Sequence, residues 1–337
     1  MEKGNKRGNF TGSIGFVLAA AGSAVGLGNI WRFPYLAAKD GGGTFILVYI
    51  ILALTFGFTL LTTDVAIGRK TGQSPLNAYR MIHPKWGGLG ILACIIPVVI
   101  LPYYCSIGGW VLKYLGTFIT GHGVKAAQDG YFTGYITSVW QPIIWLFIYL
   151  FLTAFVVYRG VNKGIENYSR ILMPILLVMI VGISIFSMTL SHSDADGVTR
   201  SGLQGLKVYL VPNFSGMTLK DFVIVFVDAL GQLFFSISVA MGIMVTYGSY
   251  VKKETNLMRS INQIEWFDTA VALLAGLMIV PAMYTFMGTE GMSAGPGLMF
   301  VSLPKIFEAM GVAGPVIGTI FFLMVSFAGQ MTSFAHD

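Results

Sequence analysis

The stretch that most constrains this chain is Ala21 to Pro34, AGSAVGLGNIWRFP, which lies in a longer run, residues 8 to 31, without a charged side chain. A run of that length can cross a hydrocarbon core of roughly 30 Å as a helix. Yet Gly22, Gly26 and Gly28 fall near its middle, where a plain span should be most regular. Each glycine lowers helix propensity by about 1 kcal/mol, and backbone freed inside a bilayer must find partners in a protein-lined cavity. The expectation is an unwound segment that holds something polar. Two plainer readings explain less. A GxxxG packing motif accounts for Gly22 and Gly26 but not for Gly28, Asn29 or Arg32. A cleavable leader, with Lys3, Lys6 and Arg7 ahead of Ala19-Ala20-Ala21, is at odds with an apolar pattern that runs on past the cleavage point.

Of the 337 residues, 55% are apolar and only 11% charged, which places the chain among polytopic, all-α membrane proteins. The net charge of +6 comes from Lys and Arg scattered between apolar runs, with no basic stripe for nucleic acid. Eight spans are expected, at about 10–37, 42–68, 89–118, 138–158, 168–190, 220–250, 262–288 and 314–335, within a single transmembrane domain over 1–337. With the N-terminus in the cytoplasm, the inside-facing segments 3–7, 69–85, 159–170 and 252–259 hold thirteen of the 21 Lys and Arg, as the positive-inside rule favours. Cys94 and Cys105 lie about 16 Å apart along one helix and cannot pair.

Polar groups inside spans are candidate site residues. Asp64 in span 2 is either functional or reaches the interface, and Tyr49 on the same span can face protein or lipid. One of Tyr103 and Tyr104 in span 3 can touch a ligand, although packing between helices also explains the pair. Gly164 and Pro174, at the start of span 5, mark either a place where the helix opens or an ordinary start followed by a kink. Span 6 is the second candidate for a broken helix, with Gly231, Gln232, Phe234, Phe235, Ser236, Ser238 and Gly242 around its middle. Interrupted helices at corresponding places in two halves point to a transporter site, and spans 1 and 6 are five apart. In span 7, Glu265 is close enough to the helix end to be solvated, whereas Asp268 is deeper and needs a cation; Asp228 in span 6 is a lesser candidate. Part of the loop 289–313 can form a helical lid.

AGSAVGLGNIWRFP, GGGTF at 41–45, GQLFFSIS at 231–238, TYGSYV at 246–251 and the spacing from Gly164 to Pro174 together resemble the neurotransmitter:sodium symporter family, over essentially the whole chain. The resemblance implies a fold of two inverted five-helix repeats plus two further helices, with helices 1 and 6 broken. Here the second repeat is incomplete, because the sequence given ends before spans 9–12. It implies transport rather than enzymatic catalysis, with Na+ as the coupling ion. Residues matching the family's first sodium site are Ala24, Asn29, Ser236 and Asp268. Those matching the second are Gly22, Val25, Ala328, Thr332 and Ser333, although in strict register the two consecutive hydroxyl positions fall on Met331 and Thr332. The matching substrate positions are Ala24, Gly26, Leu27, Gly28, Ile100, Tyr104, Phe235, Ser236, Ser238 and Met241. Glycine at 26, where monoamine-carrying relatives have aspartate, leaves room for the carboxylate of an amino acid.

An apolar lining from Ile100, Phe235 and Met241 implies a hydrophobic or aromatic amino acid. The fixed charge of Asp268 implies transport without chloride. Arg32 and Phe235 match the outer gate, Arg7 and Phe10 the inner one, and Gly164 with Pro174 the hinge of alternating access. The expected setting is the cell membrane, multi-pass, with lipid and an amino acid as partners, no nucleic acid, and a homodimer compatible with the family. The alternatives are an amino-acid-binding relative that does not transport, an inactive truncated product, or a proton-coupled transporter of similar architecture, against which the motifs speak.

Overall fold

The computed structural model describes residues 17, 20, 26–158, 164–193, 197–252 and 254–336, with backbone alone at 157, 164–171 and 331–336. Among these, five helices are long and apolar enough to cross a membrane: Gly43–Thr71, Pro84–Ile119, Leu172–Thr189, Leu257–Gly291 and Gly311–Gln330. A pair bent by 81°, Tyr131–Thr137 with Gln141–Val156, makes a sixth when taken as one span. They fall where spans 2, 3, 5, 7, 8 and 4 are expected, and the chain is a multi-pass membrane protein.

Of the two expected breaks, the one in span 6 is described, whereas residues 21–25 of the one in span 1 lie outside the described residues. Apart from residues 17 and 20, span 1 is described from Gly26, passes through a π-helical turn at Gly28–Arg32, and continues as the helix Phe33–Lys39. Span 6 is two helices, Leu219–Ser236 and Ile243–Ser249, joined by an irregular segment at 237–242. The break falls in the second half of the stretch that the sequence marks: Gly231 to Ser236 stay helical, and the residues with positive φ are Ser238, Ala240 and Gly242. The first half of span 6 starts at a capping box in which the Thr218 hydroxyl accepts from the Asp221 N–H and the Asp221 carboxylate accepts from the Thr218 N–H.

Span 2 is the frame on which these halves rest. Its run of threonines is compatible with lipid because Thr55, Thr59, Thr62 and Thr63 donate their hydroxyls back to carbonyls four residues earlier. A π-helical turn interrupts it at Ala53–Gly57. Toward its end it lies directly against the second half of span 6. A Cβ on Gly68 would overlap the Val245 carbonyl oxygen, and one on Gly248 would overlap the Val65 carbonyl oxygen. The glycines of GGGTF make the turn into span 2: Gly41 and Gly42 have φ of +83° and +56°, and Gly42 and Gly43 touch the backbone of 208–212.

Three smaller elements complete the description. The strands Ser191–Ser193 and Thr199–Ser201 pair antiparallel in a short hairpin after span 5, which the sequence reading did not anticipate. Within the loop 289–313 the helix Leu298–Ala309 forms, as the lid reading allows. The Trp31 indole N–H donates to the Pro296 carbonyl at 2.7 Å, tying this region to span 1. Cys94 and Cys105 both sit on the helix Gly87–Ile119.

Candidate functional site

Three polar side chains from three different spans meet in the interior. Asn29 of span 1 and Asp268 of span 7 are 0% exposed, and Ser236 of span 6 is 2% exposed. The Asn29 amide donates to Asp268 Oδ1 at 2.7 Å, and the Ser236 hydroxyl lies 2.8 Å from Asp268 Oδ2 and 2.9 Å from Oδ1. Ser236 Oγ is also in contact with Asn29 Oδ1. One hydroxyl proton cannot serve three acceptors at once, so oxygens of an amide, a hydroxyl and a carboxylate crowd together with less hydrogen than they can accept. Among the described residues no Lys, Arg or His pairs with Asp268. A carboxylate taken out of water without a partner costs several kcal/mol. An all-oxygen set around one negative charge is the chemistry that a hard cation requires, so these residues fit a bound Na+. Ala24, the fourth residue matched to this site, lies outside the described residues.

Next to this cluster the backbone of span 1 meets span 3. The Leu27 N–H donates to the Tyr104 hydroxyl at 3.1 Å, with Tyr104 1% exposed and its neighbour Tyr103 43% exposed. Tyr104 is thus the one of the pair that faces the interior. Its ring centroid lies 6.3 Å from that of Phe235, and a Cβ on Gly28 would press on the Phe235 ring at 3.1 Å. Gly28 therefore lets span 1 approach the aromatic ring. Ser238 and Met241, in the break of span 6, are buried, and Ile100 is half-buried.

Asp64 holds the break itself. It is 7% exposed, its Oδ2 accepts from the Ala240 N–H at 2.9 Å, and Tyr79 reaches its Oδ1 at 3.5 Å. The interface reading of Asp64 is therefore corrected: the carboxylate points into the protein and satisfies backbone that an unwound helix leaves open. Ala240 has a φ of 59°, which side chains rarely adopt, so a tertiary contact sustains the strained segment. Asp64→Ala is expected to cost about 2 kcal/mol through a buried N–H left without its charged acceptor, read as a lower melting midpoint in detergent.

Arg32 and Phe235 are brought together as expected, with the guanidinium carbon 5.3 Å from the ring centroid. Gln232, 0% exposed, accepts from Arg32 at 2.8 Å and donates to the Gly28 carbonyl at 3.0 Å, so one amide links both halves of this contact. Asp228 instead pairs with Lys39 at 2.7 Å. Burial pushes the neighbouring Asp40 carboxyl up to about 6, against the opposing pull of Lys39. Glu265 is 6% exposed, which corrects the expectation that it is solvated. Tyr49 is 0% exposed and faces protein.

Span 5 begins as a helix at Gly164 and carries Pro174 within it. That geometry suits an ordinary start with a proline inside as well as a hinge. Ala328 is buried in span 8, while the side chains of Thr332 and Ser333 lie outside the description. So do Arg7, Phe10, Gly22 and Val25. Asp64, Gln232 and the Gly68–Gly248 seam carry structural roles that the sequence reading missed. A lone carboxylate in an apolar run was the available signal for the first.

The model of the sodium:neurotransmitter symporter family matches residues 7–126 and 132–336. An uncharacterised sodium-dependent transporter of Bacillus subtilis, YhdH, is 37% identical over 92% of this chain and 65% of its own length. The human sodium- and chloride-dependent GABA transporter 2 is 26% identical over 98% of this chain and 60% of its own length. The chain thus spans about two thirds of the length of such relatives. The crystal structure of MhsT in complex with L-phenylalanine superposes with a TM-score of 0.87 at 34% identity, covering 98% of this chain and 73% of that one. This close match carries the inverted-repeat transporter fold with its broken helices, and the family is one of transporters rather than enzymes. By motif, sequence and fold, the chain belongs to the sodium:neurotransmitter symporter family.

Proposed function

We propose that this chain carries the core of a sodium-coupled symporter for a hydrophobic or aromatic L-amino acid, working by alternating access in the cell membrane with its N-terminus in the cytoplasm. The observation that carries the reading is the buried Asn29, Ser236 and Asp268 cluster, with Asn29 in the π-helical turn of span 1 and Ser236 the last helical residue before the break in span 6. Asn29, Ser236 and Asp268 bind the sodium ion. The backbone N–H groups near Leu27 and Gly28, the first of which donates to the Tyr104 hydroxyl, receive the substrate carboxylate together with that hydroxyl at the positive end of the following half-helix. Phe235, Met241 and Ile100 receive its side chain, and the phenylalanine named with MhsT agrees with that class. Arg32 over Phe235 closes the outer side, and span 5 opens the inner side at Gly164.

The test is uptake of radiolabelled L-phenylalanine into proteoliposomes under an inward sodium gradient. Uptake that needs sodium and is competed by leucine and tryptophan supports the reading; uptake driven by a pH gradient in sodium-free buffer overturns it. Sodium-dependent binding without accumulation would favour the non-transporting alternative. Replacing chloride by gluconate is expected to leave uptake unchanged, because Asp268 supplies the negative charge beside the ion. A loss of more than half would contradict this.

Tyr104→Phe keeps the ring and removes the hydroxyl that meets the Leu27 N–H. It is expected to weaken phenylalanine binding about tenfold, equivalent to about 1.4 kcal/mol, with sodium affinity in the absence of amino acid nearly unchanged. Scintillation-proximity binding separates the two effects.

A further inference from the structure

The link between spans 2 and 3 joins two membrane-crossing helices, so it lies at a membrane surface. Its helix, Pro75–Ile82, starts on a proline and has two unlike faces. Pro75, Ala78, Tyr79 and Ile82 recur at helical spacing and face the protein, the first two buried and the others half-buried. A Cβ on Gly90 of span 3 would lie 2.7 Å from the Pro75 carbonyl oxygen, and one on Gly242, in the break of span 6, would press on the Pro75 ring at 2.7 Å. The helix is thus wedged between span 3 and the break. Leu76, Asn77, Arg80 and Met81 make the other face, and all four are exposed. Leu76 borders the start of span 3, whose Leu92, Ile95 and Val99 form an exposed apolar stripe. Trp86 is exposed as well, and the Arg80 stem passes 3.8 Å from a Cβ built on the next residue, Gly87. Charge here is one-sided. Residues 65 to 128 include no Asp or Glu. Arg80 and Lys85 are exposed, and among the described residues no carboxylate pairs with either.

We propose that this surface docks one anionic phospholipid, with its phosphate on Arg80 and Lys85 and its chains along Leu76, Met81 and Trp86. A guanidinium offers a planar pair of donors that matches two phosphate oxygens, and the lysine adds a point charge. A helix face that is both apolar and basic binds lipid through buried area together with attraction to anionic headgroups. Tryptophan suits the headgroup level, where its ring meets the chains and its N–H meets water. The Lys85 N–H donates to His83 Nδ1 at 3.3 Å and holds the tight turn between the helix and Trp86. A zwitterionic headgroup brings an ammonium that finds no carboxylate on this face, so the site selects a lipid of net negative charge. Inorganic phosphate would use the two cations and not the apolar half, so both halves enter the test.

The experiment is native mass spectrometry of the chain released from nanodiscs that hold equal amounts of phosphatidylglycerol and phosphatidylcholine with the same acyl chains. The expected result is one retained phosphatidylglycerol, in about tenfold excess over phosphatidylcholine. The double variant Arg80→Gln, Lys85→Gln is expected to bring that ratio close to one. Lys125→Gln, an exposed lysine on the helix Gly123–Ala126, is expected to leave it unchanged. Trp86→Ala keeps both charges and is expected to lower retention about threefold, which separates a lipid from a bare phosphate. The substituted side chains are exposed, and an unchanged melting midpoint in detergent verifies that each variant is folded. Equal retention of the two lipids, a ratio that the double variant leaves intact, an equal loss in Lys125→Gln, or full retention in Trp86→Ala would overturn the proposal. Neither sodium nor an amino acid enters the measurement, so its failure is separate from a failure of the transport reading.

Discussion

Asp268→Ala is expected to weaken sodium binding by at least 100-fold and to abolish sodium-driven uptake, the largest functional effect of any single change in this chain. The Asp268 carboxylate accepts from both Asn29 and Ser236 and is the group that brings formal charge to the cluster. Removing it takes away the ion's counter-charge, while the Asn29 amide keeps the carbonyl of residue 268 and the Ser236 hydroxyl keeps Asn29 Oδ1. A hundredfold loss is about 2.7 kcal/mol, within what one charge-assisted buried contact supplies. Asp268→Asn separates charge from shape, since it keeps the size and one acceptor oxygen. Sodium affinity is expected to fall in this variant too, while the ion-free protein becomes no less stable, because an unpaired buried charge has gone. Sodium-dependent thermal stabilisation measured at several concentrations reads both quantities. If Asp268→Asn bound sodium as wild type does, the carboxylate would not be the ion's counter-charge.

How far the sequence reaches differs from residue to residue. Asn29, Ser236 and Asp268 are 239 positions apart at the extremes, yet the resemblance to the family assigns all three to one ion site. Polar groups in apolar spans are few, and each needs a partner. The break in span 6 is legible in the sequence, but over a wider stretch than the irregular segment itself. Glycine and serine at 231–236 lower helix propensity, yet those residues remain helical, and the irregular segment is held at Ala240 by the Asp64 carboxylate. A non-glycine residue with positive φ leaves no mark on composition, because its cause is a side chain 176 positions away. Glu265 was misread for a similar reason. Distance from a helix end predicts access to water, but a neighbouring glycine on span 2 gives the carboxylate a buried seat. The hairpin after span 5 has three-residue strands, too short for an alternating pattern to stand out.

Gly68→Ala should have the largest effect on stability, and for a reason that has nothing to do with ion binding. The two backbones of span 2 and the second half of span 6 are in contact there, with Gly68 against the Val245 carbonyl and Gly248 against the Val65 carbonyl. A flexible side chain could yield to a new methyl group, but here the obstacle is backbone in a helix, so one helix must move away from the other. Overpacking of this kind costs about 1–3 kcal/mol, with the upper end expected where no side chain can give way. The shift has a second consequence. Asp64 sits four residues before Gly68 on the same helix and holds the Ala240 N–H, so separating the helices also lengthens that bond. The variant is therefore expected to lose both melting temperature and phenylalanine affinity. Gly72→Ala serves as the control: Gly72 follows on the same span, has a φ of +62° and nothing within 4 Å of an added Cβ, so it carries backbone strain without a collision. A smaller loss is expected there, about 1 kcal/mol for the left-handed conformation, with substrate affinity retained. Equal losses in the two variants would mean that the close approach of spans 2 and 6 contributes nothing beyond backbone conformation.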